Sequence, residues 1–218
     1  MPLPIVGQVT NTQLPAATGS TTTAARQSLD GGLVLYEGGG KWQEACARAT
    51  KFTGFSAAAG VNIPQYSSTI QLFTLLNPAG NTVAGVLKSW IGGFVGGPTP
   101  VAGMTMISGL NYSALGQAAP VVTSSNTVIN DETQITGGNK ISCLSSCTVT
   151  AANWWRPSGI TVWTVTAGNT PIANFGEEFD GGIILKPGSW LAICSNVATF
   201  GTAILSASWL EIPLALVN

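Results

Sequence analysis

Short β-prone segments separated by turn residues dominate this chain and limit the folds it can adopt. Of its 218 residues, 27 are glycine and 12 are proline, and both residue types interrupt regular structure and occupy turns. Between them lie runs rich in valine, isoleucine and threonine, such as 160–166, which favour strands. No long amphipathic helical pattern separates these runs. A spacing of about 8–12 residues beyond residue 60 predicts an all-β fold, an antiparallel β-sandwich or jelly roll.

Turn residues and alternating apolar residues predict the positions of the strands. The clearest turn signal, Asn77–Asn81, predicts a hairpin between 68–76 and 82–91, followed by a loop over 92–100. In the final predicted strand, Leu205, Ala207 and Trp209 share one face. The other predicted strands are 33–36, 101–107, 121–129, 133–141, 148–152, 159–167, 182–185, 190–195 and 203–212, and residues 41–55 form either a strand or a short helix.

Residues 1–32 are predicted to form an extended N-terminal arm, and residues 33–218 the jelly-roll-like domain, with 33–60 as a linker or an extra hairpin. The arm carries only two charged side chains, Arg26 and Asp30. It is too polar to build a core and too uncharged for a solvated tail. It is either disordered or becomes ordered on a neighbouring subunit, and we favour the second. Its predicted partner-binding residues are Pro2, Pro4, Ile5, Val6 and Leu14.

The low charge of the chain constrains its surface. Only 8% of its residues are charged and the net charge is −1, whereas about 25% is usual in globular proteins. Serine, threonine, asparagine, glycine and exposed apolar atoms must therefore cover it, as they do at subunit interfaces. This balance gives no electrostatic reason to bind nucleic acid or a membrane. The sequence shows neither a membrane-spanning run nor a signal peptide, so we expect synthesis in the cytoplasm.

The absence of histidine argues against catalysis, because histidine is the commonest general base and a common metal ligand. No serine lies in a Gly-x-Ser-x-Gly motif. The Gly38–Lys41 segment fails as a phosphate-binding loop, because Leu35 occupies the place of the first glycine and Trp42 replaces the serine or threonine. We therefore predict a protein that is not an enzyme and that binds no cofactor and no metal.

The only acidic cluster consists of Glu177, Glu178 and Asp180, just before a glycine pair. Two such carboxylates could hydrolyse glycosides or hold Ca²⁺. We favour a solvated loop, or a contact with a basic patch on a neighbouring subunit.

Trp154, Trp155 and Arg156 form the most unusual local string and are predicted to bind a partner. Adjacent strand residues point to opposite faces, so at most one of the two tryptophans can lie in the core. Tryptophan and arginine are both enriched in interface hot spots. A core or interface role is favoured over a ligand platform, and the other tryptophans are predicted to be core residues: Trp42, Trp90, Trp163, Trp190 and Trp209.

The four cysteines, at 46, 143, 147 and 194, form no paired Cys-x-x-Cys sets. Cys143 and Cys147 are close enough in sequence to bridge a tight turn. We favour buried thiols instead, because disulfides are rare in a reducing cytoplasm.

Three short motifs in the last two-thirds of the chain resemble a loose group of tailed-phage virion proteins. They are Leu75-Leu76-Asn77-Pro78-Ala79-Gly80, then Gly181-Gly182-Ile183-Ile184-Leu185-Lys186-Pro187-Gly188-Ser189, and finally Ala207-Ser208-Trp209-Leu210-Glu211-Ile212-Pro213. They occur in the same order as in that group and carry no catalytic signature.

The resemblance implies a structural particle protein with a jelly-roll-like domain, often a homotrimer. The preferred role is a cement or decoration protein on the capsid surface of the virion, with the major capsid protein as its partner and the arm as its attachment. One alternative is a receptor-binding head or tail fibre or spike that grips host surface glycans through Trp155, Tyr112 or nearby loops. Another is a carboxylate hydrolase built on the acidic cluster.

Overall fold

Thirteen strands form in the described part of this chain. The computed structural model describes residues 46, 48–95, 104–109, 112, 114–150, 152, 154–158, 174–198 and 201–214. All of these belong to one structural unit, Ala45–Asn218. The predicted arm and the predicted strands at 33–36 and 159–167 lie outside the described residues. Within them, the all-β prediction is confirmed.

The strands follow one another along the chain with mostly short connections. They are β1 (Lys51–Phe55), β2 (Val61–Asn62), β3 (Ile70–Gln71), β4 (Thr74–Asn77), β5 (Val83–Phe94), β6 (Met104–Gly109), β7 (Val121–Ser125), β8 (Thr127–Asn130), β9 (Ser142–Thr148), β10 (Trp154–Pro157), β11 (Asn174–Leu185), β12 (Ser189–Ser195) and β13 (Thr202–Pro213).

Two antiparallel sheets pack as a sandwich with the connectivity of a jelly roll. Sheet A contains the order β11-β5-β13-β1, and sheet B contains β10-β6-β12-β4. In chain order, these eight strands alternate between the sheets except from β6 to β10, which both lie in sheet B. This pattern is that of two Greek keys wrapped into a double sheet. The insertion β7–β9 widens both sheets, with β8 beside β1 and β9 beside β4.

Alternating apolar residues build the core between the sheets. On β13, Leu205, Ala207 and Trp209 are buried, so the predicted face is confirmed, and Trp90 enters the same cluster. Sheet B is buried on its outer face as well, where Trp190 lies in a second cluster with Tyr112 and Val149. All seven residues of β12 are buried, because that strand lies between the two clusters.

Several strand predictions were wrong because turn signals do not reveal which sheet the chain enters next. Segments 68–76 and 82–91 form no hairpin, since β4 pairs with β12 and β9 whereas β5 pairs with β11 and β13. β5 also extends into the loop predicted at 92–100 and ends at Phe94. Segment 121–129 divides at Asn126, where the chain leaves sheet B for sheet A. Segment 133–141 contributes only an isolated bridge, and the strand predicted at 148–152 lies earlier, in β9.

One end of the sandwich is held by Asn77, a fully buried residue at the end of β4. Its side-chain amide donates hydrogen bonds to the carbonyl oxygens of Val83 at 3.0 Å and Leu185 at 2.8 Å. Its side-chain oxygen accepts a bond from Asn81 at 2.7 Å, and its backbone carbonyl accepts the N–H of Gly188 at 2.9 Å. This Asn77 corner ties together two connections that cross between the sheets, β4 to β5 and β11 to β12.

A buried carboxylate reinforces the same end. Glu211 on β13 is only 6% exposed. It accepts the backbone N–H groups of Lys140 and Ile141 at 2.9 and 2.8 Å, and the indole N–H of Trp209 at 3.2 Å. These bonds offset the cost of burying a charge. They also anchor the segment that leads into β9 against sheet A.

Replacing Asn77 should therefore cost more than an ordinary polar substitution. Asn77→Ala removes the donors for two buried carbonyls and the acceptor for Asn81, and we expect it to lower the free energy of unfolding by about 2–4 kcal/mol. Asn62→Ala, which removes one exposed hydrogen bond to Thr202, should cost less than about 1 kcal/mol. Urea denaturation measures the free energy of unfolding of both variants. Equal losses would contradict the role of Asn77 as the residue that holds this end of the sandwich.

Candidate functional site

The acidic cluster does not lie in a loop as predicted. Glu177, Glu178 and Asp180 belong to β11, because the strand tolerates an irregularity between Glu178 and Ile183 at the glycine pair. Glu177 is half-buried and its neighbour Glu178 is exposed, as expected for successive residues of a strand. The Glu177 and Glu178 carboxylates therefore lie on opposite faces of the sheet and cannot flank one glycosidic bond, as hydrolysis by a carboxylate pair would require.

Glu177 instead completes a polar clamp between the sheets. Its carboxylate pairs with the guanidinium of Arg156 on β10 and accepts a hydrogen bond from the hydroxyl group of Ser158. The same hydroxyl accepts the indole N–H of Trp90 at 2.7 Å. The guanidinium also lies 5.2 Å from the ring centre of Phe179, a distance typical of a cation–π contact. The clamp thus joins β5 and β11 of sheet A to β10 of sheet B.

This geometry favours a stabilising role for Glu177 over a catalytic one. Both of its oxygens are occupied by groups of its own chain. Among the described residues, no group of three or more cysteine, aspartate or glutamate side chains could hold a metal ion. The charge of Arg156, a predicted partner-binding residue, is balanced within the chain.

Removing the central hydroxyl of the clamp should destabilise the fold. Ser158 is buried, so Ser158→Ala leaves the Trp90 indole N–H without its acceptor. We expect a loss of about 1–3 kcal/mol in the free energy of unfolding. Ser206→Ala, on the outer face of sheet A, should change it by less than about 0.5 kcal/mol. A neutral Ser158→Ala in thermal or urea unfolding would show that the clamp contributes nothing.

The tryptophan pair lies on β10, where Trp154 pairs with Ser108 and Trp155 with Ile107. Their backbone register is described and their side chains are not, so the predicted partner contacts stay a prediction. Of the other predicted core tryptophans, Trp90, Trp190 and Trp209 are confirmed as buried. Trp42 and Trp163 lie outside the described residues, as do Pro2, Pro4, Ile5, Val6 and Leu14 of the arm.

Two features bear on glycan binding. Tyr112, proposed as a glycan contact, is only 4% exposed, and its hydroxyl accepts the N–H of Ala79 at 3.3 Å. It is therefore a core residue, and the prediction that it grips a sugar was wrong. A polar cavity of about 490 Å³ lies elsewhere, between the β7–β8 turn and the start of β9. No aromatic residue lines it, so it lacks the stacking platform that sugar recognition commonly uses.

The cysteines are free thiols, so no Cys143–Cys147 bridge forms. The prediction of buried thiols is confirmed for Cys143, Cys147 and Cys194, whereas Cys46 is half-buried. Cys143 lies in the core between the sheets, whereas Cys147 and Cys194 belong to the second cluster. Desolvation raises the pKa of Cys143 to about 12, against a smaller lowering from the Asn126 hydrogen bond. Burial alone raises the pKa of Cys194 to about 12.

These shifts predict a loss of stability in alkali. The unfolded chain ionises both thiols above about pH 9, whereas the folded chain keeps them neutral up to about pH 12. The two neutral buried thiols contribute their full share of stability below pH 9, and this share is lost as the pH rises. The free energy of unfolding should therefore fall from pH 9 to pH 12. The double variant Cys143→Ala with Cys194→Ala should show a shallower decline. Parallel curves for both proteins would contradict the assigned shifts.

The outer face of sheet A carries exposed apolar side chains in register. Phe55 on β1 lies opposite Ser206 on β13, and Ser206 lies opposite Ile91 on β5. Neighbouring strands are about 4.8 Å apart, so these three side chains form one continuous row. Ile204 lies two residues before Ser206 on the same face. The exposed fractions of Phe55, Ile91 and Ile204 are 36%, 51% and 40%.

We call this set, Phe55, Ile91, Ile204 and Ser206, the apolar row. None of its members is charged, and Gly176 and Gly93 continue it sideways without side chains that would rise above the sheet. The outer face of sheet B is covered by the second cluster, whereas the described part of the chain leaves Phe55, Ile91 and Ile204 exposed on this face. The sequence did not single out these residues, because the row depends on the register of three strands far apart in the chain.

No family model, no curated protein and no solved structure matches this chain. Among the described residues, no helix has the length and apolar character needed to cross a membrane.

Proposed function

We propose that the chain is a non-enzymatic structural protein of a bacteriophage virion, a cement or decoration protein that docks on the capsid and stabilises the shell. The observation that carries this proposal is the apolar row on the open face of sheet A. A shell protein with an uncharged surface is the partner whose chemistry fits this row.

The distribution of charge supports a docking role. The seven strands of sheet B contain one charged residue, Arg156, and the clamp with Glu177 occupies it. On sheet A, Lys51 pairs with Asp131 and Glu211 is buried, while the exposed Glu178 lies opposite Ser89, in the row next to the apolar row. Contacts that depend on apolar burial and backbone hydrogen bonds suit such a surface better than exposed ion pairs, which contribute little and weaken in salt.

The three motifs that resemble phage virion proteins meet in the fold. The first ends in the turn at Asn77, the second contains Leu185 and Gly188, and the third contains Glu211. All three therefore contribute to the Asn77 corner and its reinforcement. These residues hold a jelly-roll end together, so the resemblance concerns the scaffold and the role on the capsid is inferred.

Stabilisation would follow from bridging. A subunit that contacts two shell subunits adds binding free energy only to the assembled lattice, and mass action then favours assembly. Several docking faces in one oligomer raise the effective concentration of each further contact. Bridging of this kind needs no conformational change and no bound cofactor.

The docking experiment uses capsids depleted of the chain and titrated with the purified protein. Ile91→Lys with Ile204→Lys places two charges in the apolar row, and we expect the Kd to rise at least about tenfold, equivalent to about 1.4 kcal/mol. Raising NaCl from about 0.1 M to about 1 M should leave wild-type docking intact. Ile135→Lys, at a site that is 67% exposed and distant in sequence, is the matched control.

Three outcomes would count against this proposal. Unchanged docking of the double variant would remove the apolar row from the interface. Release of the wild-type protein by salt would indicate an electrostatic contact. Binding to host cells with no binding to capsids would favour the receptor-binding fibre or spike.

A further inference from the structure

The edges of the two sheets differ in how they are protected. Among the described strands of four or more residues, β8 and β11 lie at the outer edges of sheet A, and β10 and β7 at those of sheet B, while the two-residue strands β2 and β3 have one partner strand each. An exposed edge presents unpaired backbone N–H and C=O groups to any other strand. Proteins usually block such edges with charges, prolines, irregularities or covering segments.

Three of these edges carry a charge, a proline or a covering segment. β8 is covered by its own chain, where Asn130 N–H donates to Ile135 C=O at 3.0 Å and Gly137 N–H donates to Val128 C=O at 3.1 Å. β11 carries the acidic cluster and a break in register. β10 contains Arg156 and Pro157.

The fourth edge, β7, has neither charge nor proline. Its sequence is Val-Val-Thr-Ser-Ser, and all five residues are exposed. The side chains of Val121 and Val122 are 66% and 48% exposed. β7 also shifts register against β9 at two places after Val122, an irregularity like that of β11, so Val121 and Val122 are the regular part of this edge. They are the place where an added strand would begin.

The surroundings of β7 are also uncharged. No charged residue occurs from Met104 to Asn130 or from Ile141 to Trp155. Thr148 of β9 pairs with Val121 on one side and Ile70 of β3 on the other, and Ile70 is 52% exposed. An apolar, uncharged surface therefore continues from β7 across three strands. A partner for this edge must itself be extended and free of charge.

The chain supplies a segment of that kind. Residues 1–25 contain no charged side chain, and Ile5-Val6-Gly7-Gln8-Val9-Thr10 is rich in β-branched residues. All five residues of β7 are exposed, so a strand has room to add there. Residues 11–45 can span up to roughly 115 Å when extended, and a domain of this size is only about 40 Å across.

We propose that residues Ile5–Thr10 of a second copy of this chain add as a strand to β7. The backbone groups of β7 bond to those of the incoming strand, and Val121 and Val122 pack against its apolar side chains, the mode known as β-augmentation. Each copy then gives an arm to one neighbour and receives one from another. Such head-to-tail exchange produces a closed ring when its rotation closes.

The test measures the mass of the purified full chain by sedimentation and does not involve capsids. We expect an oligomer of defined mass for the wild type. Deleting residues 1–25, or combining Val121→Lys with Val122→Lys, should convert it to a folded monomer and raise the dissociation constant at least about tenfold. Ile135→Lys is the control and should keep the wild-type mass. Circular dichroism confirms that each variant is folded.

Cross-linking identifies the segment that fills the edge. In a Cys46→Ala background, Val6→Cys and Val121→Cys are made as separate proteins and mixed under mild oxidation. The remaining thiols are buried, so they should not compete. We expect a heterodimeric cross-link in the mixture that is far stronger than either homodimer.

Several results would overturn this proposal. One is a wild-type monomer at concentrations of about 100 μM, well above the range of a stable assembly. Another is an oligomer that survives the lysine pair. A third is a double-cysteine chain that cross-links only within itself at high dilution, which would place its own arm on the edge.

Discussion

The Asn77 corner is the contact on which the rest of the fold depends. A jelly roll carries its chain repeatedly from one sheet to the other, and the crossing segments cannot use the hydrogen-bond ladder of either sheet. Here one buried amide bonds to the ends of two crossings, Val83 and Leu185. Glu211 performs a similar task for the segment entering β9. With these groups paired, β4 and β12 hold their register, and the faces of both sheets are fixed.

That scaffold leaves the two sheets with different outer faces. Trp190 and the second cluster bury the outer side of sheet B, whereas Phe55, Ile91 and Ile204 remain exposed on sheet A. Two charges near that sheet, Arg156 and Glu177, are used in the clamp. A surface of this kind is stabilised by contact with other protein surfaces. The apolar row and the exposed edge strand β7 both show this property.

The sequence predicted what depends on local pattern. The all-β class and the buried face of β13 followed from turn residues and from alternation at Leu205 and Trp209. The crossing from sheet B to sheet A after Asn77 was missed. Turn residues in a sequence look the same whether the next strand pairs with the preceding one or enters the other sheet. The clamp and the apolar row were missed since their members are distant in sequence and meet only through register.

The central claim is that many copies of this chain cover a capsid. Its most direct test is the copy number of the chain in purified particles, measured by quantitative mass spectrometry against the most abundant shell protein. A lattice-wide cement protein predicts a ratio between about one-third and one, as set by the symmetry of the sites. A handful of copies per particle would contradict the account and point to a fibre or spike, and complete absence would remove the chain from the virion.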